Sequence, residues 1–83
     1  MGDRMTYDCT KIYKLVGNRI AYYRKQKNMT QEQLAEKVGI STSYLSKIEA
    51  QNCNKSFSLA IICQIANVLD IDIKDFFDDM DSQ

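Results

Sequence analysis

Apolar residues recur along most of the chain at the three- and four-residue spacing of one helix face. The first stripe predicts a helix from about residue 10 to residue 27 and consists of Ile12, Val16, Ile20 and Tyr23. The second predicts a helix that ends near residue 69 and consists of Leu59, Ile62, Ile65, Ala66 and Leu69. Either Ser56 or Ser58 can cap the start of this later helix.

Three polar residues mark further helix starts. Thr30, Ser41 and Asp72 each follow an apolar residue and precede another by four positions, which is the pattern of an N-cap with a hydrophobic staple. Thr30 also has Gln33 three residues on, so a capping box is expected. These caps predict helices over residues 31–38 and 42–50, and a short last helix after Asp72. The expected fold is therefore all-α, a compact five-helix bundle.

Two residues suit the turns between these helices. Gly39 can adopt the positive φ that a tight turn between residues 38 and 42 needs, and Asn28 can close the first helix in the left-handed conformation. The chain has no proline and only three glycines, so few residues interrupt the helices. We expect a flexible arm over residues 1–9, one domain over residues 10–77, and an acidic tail over residues 78–83.

The charges divide along the chain although the net charge is zero. Residues 1–55 carry ten Lys and Arg against five Asp and Glu, whereas residues 56–83 carry one Lys against six Asp. The first segment is therefore +5 and the second −5. This division suits a basic face toward phosphate and an acidic end away from it, although solvated surfaces also vary by chance.

Composition argues against several other classes of protein. The chain has no histidine, no glycine-rich phosphate loop and no cysteine with an evident activating partner, so we expect no enzyme. Its three cysteines form no CxxC pair, so neither a metal site nor a disulfide framework is expected, and nothing implies a cofactor. Without a signal peptide or an apolar span, the reducing cytoplasm is the expected compartment.

The stretch TQEQLAEKVGISTSYLSKIE, from Thr30 to Glu49, resembles the helix-turn-helix of the Cro and phage-repressor family. The resemblance extends to both sides, over Val16 to Ile20, Arg24, and Leu59 to Phe77. It implies a lambda-repressor-like fold, double-stranded DNA as the partner, and transcriptional regulation, chiefly repression, in a prokaryote or phage. The segment after Glu49 departs from the family pattern, because Gln51 and Phe57 replace the usual glycine and proline and the loop is longer.

The outward positions of the third helix are candidates for reading base edges in the major groove. They are Thr42, Ser43, Ser46 and Lys47. Candidate contacts to the DNA backbone are Gln31, Tyr44, Arg19, Asn54 and Lys55. Each has a purely structural alternative: Thr42 and Ser43 suit a first helical turn, Tyr44 can pack on helix two, and Asn54 and Lys55 suit any polar loop. The resemblance also implies a partly buried salt bridge between Arg24 and Glu49.

One rival function is a protein-binding module, such as an antitoxin or a partner-docking domain. The C-terminal Phe77 and Met80 are candidates for a dimer interface, although the apolar residues in this region can also close the core. A homodimer on a palindromic operator would place two recognition helices about 34 Å apart. Salt dependence of binding separates DNA from an apolar protein contact.

Overall fold

The computed structural model describes residues 9–50 and 57–78, and the elements within these ranges are all helical. They are α1 (Cys9–Gln26), α2 (Gln31–Val38), α3 (Thr42–Ala50), α4 (Leu59–Leu69) and a C-terminal 3-10 helix (Ile73–Phe77). The predicted all-α fold is confirmed. The last of the five predicted helices is a 3-10 helix, which is consistent with its length of five residues.

Local hydrogen bonds fix the helix starts. The Thr30 hydroxyl accepts the Gln33 N–H at 3.0 Å, and the Gln33 side-chain oxygen accepts the Thr30 N–H at 2.9 Å, which completes the predicted capping box. Ser58 rather than Ser56 caps α4, because its hydroxyl accepts the Ile61 N–H at 3.2 Å. These bonds satisfy backbone donors that a helix start otherwise leaves unpaired.

Within residues 9–50 and 57–78, three residues with positive φ end α1, α2 and α4. Asn28 ends α1 with φ 58° and Gly39 ends α2 with φ 90°, as the sequence predicts. Asp70 ends α4 in the same left-handed region, with φ 59°, and its backbone N–H reaches the carbonyl of Asn67. Aspartate tolerates this conformation better than most residues, but the pattern around Asp70 did not predict it.

The core lies between α1, α2, α3 and α4 and is closed by the 3-10 helix. Its most deeply buried side chains are Ile20, Leu34, Leu45, Ile65, Leu69 and Phe76, all 0% exposed. Phe57 is also buried, and its ring meets Tyr13 edge to face at 4.8 Å between centroids. Ile12, predicted to lie in the core stripe, is 36% exposed because it lies in the first turns of α1, at the edge of a surface cleft.

Gly17 sets the distance between α1 and α3. A Cβ at this position would collide with the backbone carbonyl oxygen of Ile48. Because the obstructing atom is backbone, a side chain at position 17 could be accommodated only by moving α3 away from α1. The absence of a side chain therefore determines where α3 lies.

The chain ends are only partly described. Cys9, which the sequence assigns to the flexible arm, is already the first residue of α1. The rest of that arm and most of the acidic tail lie outside the described residues. Within residues 9–50 and 57–78, no helix has the length and apolar character needed to cross a membrane.

Candidate nucleic-acid interface

The turn between α2 and α3 is held by backbone and side-chain hydrogen bonds. The N–H groups of Gly39 and Ile40 both donate to the carbonyl of Ala35, at 2.8 and 3.0 Å. The Ser41 hydroxyl then accepts the N–H of Tyr44 at 2.9 Å, so the first turn of α3 starts directly after the turn. The two helices therefore form a rigid helix-turn-helix unit, in which Ala35 is 1% exposed.

The two faces of α3 differ sharply in burial. Leu45, Ile48 and Glu49 are buried against the rest of the domain. Among the predicted base-reading residues, Thr42, Ser43 and Lys47 are exposed and Ser46 is half-buried at the edge of the outward face. The outward face thus presents hydroxyl groups and one ammonium, which can donate to or accept from base edges.

Ala50 extends this outward face and was not among the predicted site residues. It is exposed and lies three residues after Lys47 and seven after Ser43, so all three share one stripe of the helix. Its methyl group adds an apolar surface to this stripe. The helical spacing from Ser43 was the signal that could have identified it.

Tyr44 has a structural role in the domain, while its contact with DNA stays a prediction. Its side chain is half-buried and packs against the core, which is the structural alternative. Part of the residue remains exposed to solvent.

Arg24 and Glu49 form a two-pronged ion pair. Arg24 Nε donates to Glu49 Oε2 at 2.8 Å and Nη2 donates to Oε1 at 3.0 Å, with side chains only 10% and 5% exposed. The third nitrogen, Nη1, donates to the Met29 carbonyl at 2.7 Å. One guanidinium therefore joins α1 to the turn before α2 and to the end of α3.

Gln31 is also attached to this pair. Its side-chain Nε2 donates to Glu49 Oε1 at 2.9 Å, and its side chain is half-buried. Since an amide nitrogen carries two hydrogens, this bond leaves one of them for a further acceptor. Gln31 thus lies at the start of α2 with its orientation fixed by the end of α3.

The structure corrects the prediction for Arg19, which was assigned to the DNA backbone. Arg19 is 6% exposed, and its Nε and Nη2 donate to the Asp75 carbonyl at 3.4 Å and the Tyr23 hydroxyl at 3.1 Å. Its guanidinium also lies 5.4 and 5.3 Å from the ring centroids of Tyr22 and Tyr23. Arg19 therefore fastens the 3-10 helix to α1 and is not presented to a phosphate.

The remaining predicted residues are placed only in part. Asn54, Lys55 and Met80 lie outside the described residues. Phe77, the other dimer candidate, is 45% exposed at the end of the 3-10 helix. Across the described residues, no group of three or more His, Cys, Asp or Glu side chains is placed to hold a metal ion.

Comparison with known proteins agrees with this geometry. The sequence model of the helix-turn-helix family HTH_3 matches residues 20–76, which include α2, the turn and α3. The chain belongs to the helix-turn-helix family.

Its relatives include named regulators. This helix-turn-helix domain is 37% identical over 65 residues to the HTH-type transcriptional regulator SinR of Bacillus subtilis. The match covers 78% of this chain and 58% of SinR. It is 51% identical over 43 residues to the immunity repressor protein of Bacillus phage phi105, covering 52% of this chain and 30% of the repressor. The matched segment thus spans less than two thirds of either relative.

A solved structure shows the same architecture. The crystal structure of SinR in complex with DNA superposes with a TM-score of 0.69 at 36% identity, covering 76% of this chain and 98% of that one. The predicted resemblance to Cro and phage repressors, and the lambda-repressor-like fold, are confirmed. The chain is therefore a helix-turn-helix domain with the fold of that SinR structure.

The charged residues of the 3-10 helix and its flanks are mostly acidic, whereas the exposed charge of α3 is basic. The 3-10 helix, flanked by Asp72 and Asp78 and containing Asp75, packs on α1 and α4, whereas α3 packs on α1 and α2. Lys47 lies exposed on α3. The acidic residues thus lie in and beside the 3-10 helix, which shares α1 with α3 as a packing partner but also packs on α4.

Proposed function

We propose that the domain binds double-stranded DNA sequence-specifically, with α3 in the major groove, and acts as a transcriptional repressor. The major groove admits one α-helix, and the N-terminal side chains of a recognition helix meet base edges there. In this binding mode Thr42, Ser43, Ser46 and Lys47 contact bases, and Gln31 and Tyr44 contact the backbone. Asn54 and Lys55 remain proposed backbone contacts from the segment outside the described residues.

The observation that carries the proposal is the contrast between the two faces of α3. Its inward face is held by the core and by the Arg24–Glu49 pair, while its outward face offers exposed polar groups. Such a helix loses little conformational entropy on binding because its position is already fixed. SinR, whose structure in complex with DNA is similar to this one, supports DNA as the ligand.

Two further parts of the proposal concern assembly and place of action. A single module of this size buries too little surface for tight specific binding, so we propose a homodimer on a palindromic operator. The similarity to a phage immunity repressor supports repression. The site of action would be the nucleoid, in the cytoplasm of a prokaryotic cell.

Selection of binding sites from random duplex DNA tests the proposal. We expect a recovered consensus with two inverted half-sites. Replacement of Lys47 by Ala should then cost about 1–3 kcal/mol at one base pair, since a bidentate lysine contact to guanine discriminates by that amount.

Lys74 provides the matched control, because it is an exposed lysine on the acidic 3-10 helix. Lys74→Ala should leave the preference at every base pair unchanged. Uniform weakening by Lys47→Ala would assign Lys47 to a phosphate instead of a base. Undiminished binding after joint replacement of Thr42, Ser43 and Lys47 by Ala would contradict the proposed interface.

A further inference from the structure

The outward face of α3 ends in a side chain that can form no hydrogen bond. Ala50 is exposed, as are Ser43 and Lys47 on the same stripe, but those two residues carry a hydroxyl and an ammonium group. Successive helical residues are rotated by about 100°, so these three positions lie within about 60° of one another around the axis. A surface that covers Ser43 and Lys47 therefore also covers Ala50.

The length of α3 keeps Ala50 within reach of base edges in the proposed binding mode. The helix has nine residues. At this length it extends over about 13.5 Å, close to the width of the major groove of about 12 Å. Ala50 lies three residues after Lys47, which is about 4.5 Å along the axis, and consecutive base pairs are about 3.4 Å apart. Ala50 therefore faces a base pair one or two steps beyond the one that Lys47 faces.

The chemistry of an alanine side chain selects one kind of base edge. In the major groove only thymine presents an apolar group, its C5-methyl, and alanine is one of the side chains that contact it. The edges of adenine, guanine and cytosine present donors and acceptors that an alanine cannot satisfy. An alanine pressed against these bases would leave their polar groups without a partner, which is unfavourable.

We propose that Ala50 is a specificity-determining residue whose methyl group packs on the C5-methyl of a thymine, one or two base pairs beyond the base pair that Lys47 contacts. This inference rests on the proposed function, because it requires α3 to lie in the major groove. It adds an apolar contact to an outward face that otherwise reads bases through hydroxyl groups and one ammonium.

Removal of single methyl groups from the DNA tests this contact. Each thymine of the half-site selected from random duplexes is replaced in turn by deoxyuridine, which keeps Watson–Crick pairing but lacks the methyl group. One replacement, within two base pairs of the position affected by Lys47→Ala, should weaken wild-type binding about three- to fivefold, as expected for one buried methyl group. The same replacement should change binding by Ala50→Gly less than about 1.5-fold, because the glycine has no methyl group to contact it.

Ala60→Gly is the matched control, because Ala60 is an exposed alanine in the first turn of α4. This variant loses the same methyl group from a helix outside the interface, so it should keep the wild-type dependence on thymine. Circular dichroism melting of both variants checks that the fold is retained.

A gain of binding gives a second measurement that loss of folding cannot produce. With cytosine in place of the critical thymine, methylation of the cytosine at C5 restores the methyl group. It should strengthen wild-type binding about three- to fivefold and leave binding by Ala50→Gly unchanged.

The outcomes separate this inference from the proposed function. Failure of the wild type to prefer any duplex sequence would reject the proposed function itself. A sequence preference in which no thymine methyl group contributes, or in which Ala50→Gly remains as sensitive to that methyl group as the wild type, would overturn only the role of Ala50.

Discussion

The role of Glu49 is easily misinterpreted from its charge and from its position on α3. It lies on the helix proposed to face DNA, where a free carboxylate would repel phosphate, but its oxygens are occupied by Arg24 and Gln31. Burial of two charges is costly, and their mutual attraction and hydrogen bonds offset that cost only while both partners remain. The pair therefore contributes less to the net stability of the domain than the removal of one partner would take away.

Glu49→Ala should lower the free energy of unfolding by about 3–5 kcal/mol, because it leaves the Arg24 guanidinium buried and poorly compensated. In a domain of this size, that corresponds to a fall in Tm of more than about 10 °C. Thermal unfolding followed by circular dichroism measures it. Glu36→Ala, at an exposed position of α2, is the matched control and should change stability by less than about 0.5 kcal/mol. An equal effect of the two replacements would contradict the structural role of the pair.

Arg19 and Arg24 show what residue-level sequence reasoning can and cannot predict. The contact of Arg24 with Glu49 was expected from the resemblance, since both residues lie within a recognisable pattern. The position of Arg19 depends on how the 3-10 helix folds back onto α1, because its acceptor in that helix, the Asp75 carbonyl, is 56 residues away. A single sequence without its tertiary contacts gives no sign of such a pairing, so this basic residue was assigned to phosphate.

At the scale of helices, the starts were predictable because their determinants are local. The capping box at Thr30 involves residues three positions apart, and Gly39 acts through its own backbone. The choice of Ser58 over Ser56 and the 3-10 form of the last helix were not predictable in this way. The last helix is short and packs on α1 and α4, so its geometry depends on distant contacts.

Gly17→Ala should destabilise the domain by about 2 kcal/mol or more, although alanine is the better helix former. The added methyl group would meet the Ile48 carbonyl, and relief requires α3 to shift. We therefore expect DNA affinity, measured on the folded variant, to fall as well. Unchanged stability and affinity would mean that α1 and α3 separate without cost.

Gly39→Ala is the informative comparison at the same scale. A Cβ there meets nothing within 4 Å, but φ is +90°, which strains any residue with a side chain. The expected cost is about 1–2 kcal/mol in the free energy of unfolding. Denaturant unfolding measures this cost, and Gly39→Asn should recover part of it because asparagine tolerates positive φ better. A full cost that persists in the asparagine variant would point to a cause other than backbone strain.

The whole molecule has no net charge, so its binding to DNA depends on where the charges lie. If α3 and the neighbouring basic groups displace counterions from six to ten phosphates, affinity should fall about 10³- to 10⁵-fold between 50 and 200 mM salt. Fluorescence anisotropy with a labelled duplex measures the slope. A salt-independent DNA complex would argue against phosphate contacts.

The contacts that hold the inward face of α3 have a practical consequence for engineering. The position and stability of α3 depend on Gly17, the Arg24–Glu49 pair and the inward apolar side chains. None of these belongs to the outward stripe of α3. The residues of that stripe can therefore be transplanted as a set from a relative of known target, with the scaffold left intact. Such a chimaera should bind the DNA target of the relative. It should unfold at nearly the same temperature as the parent domain.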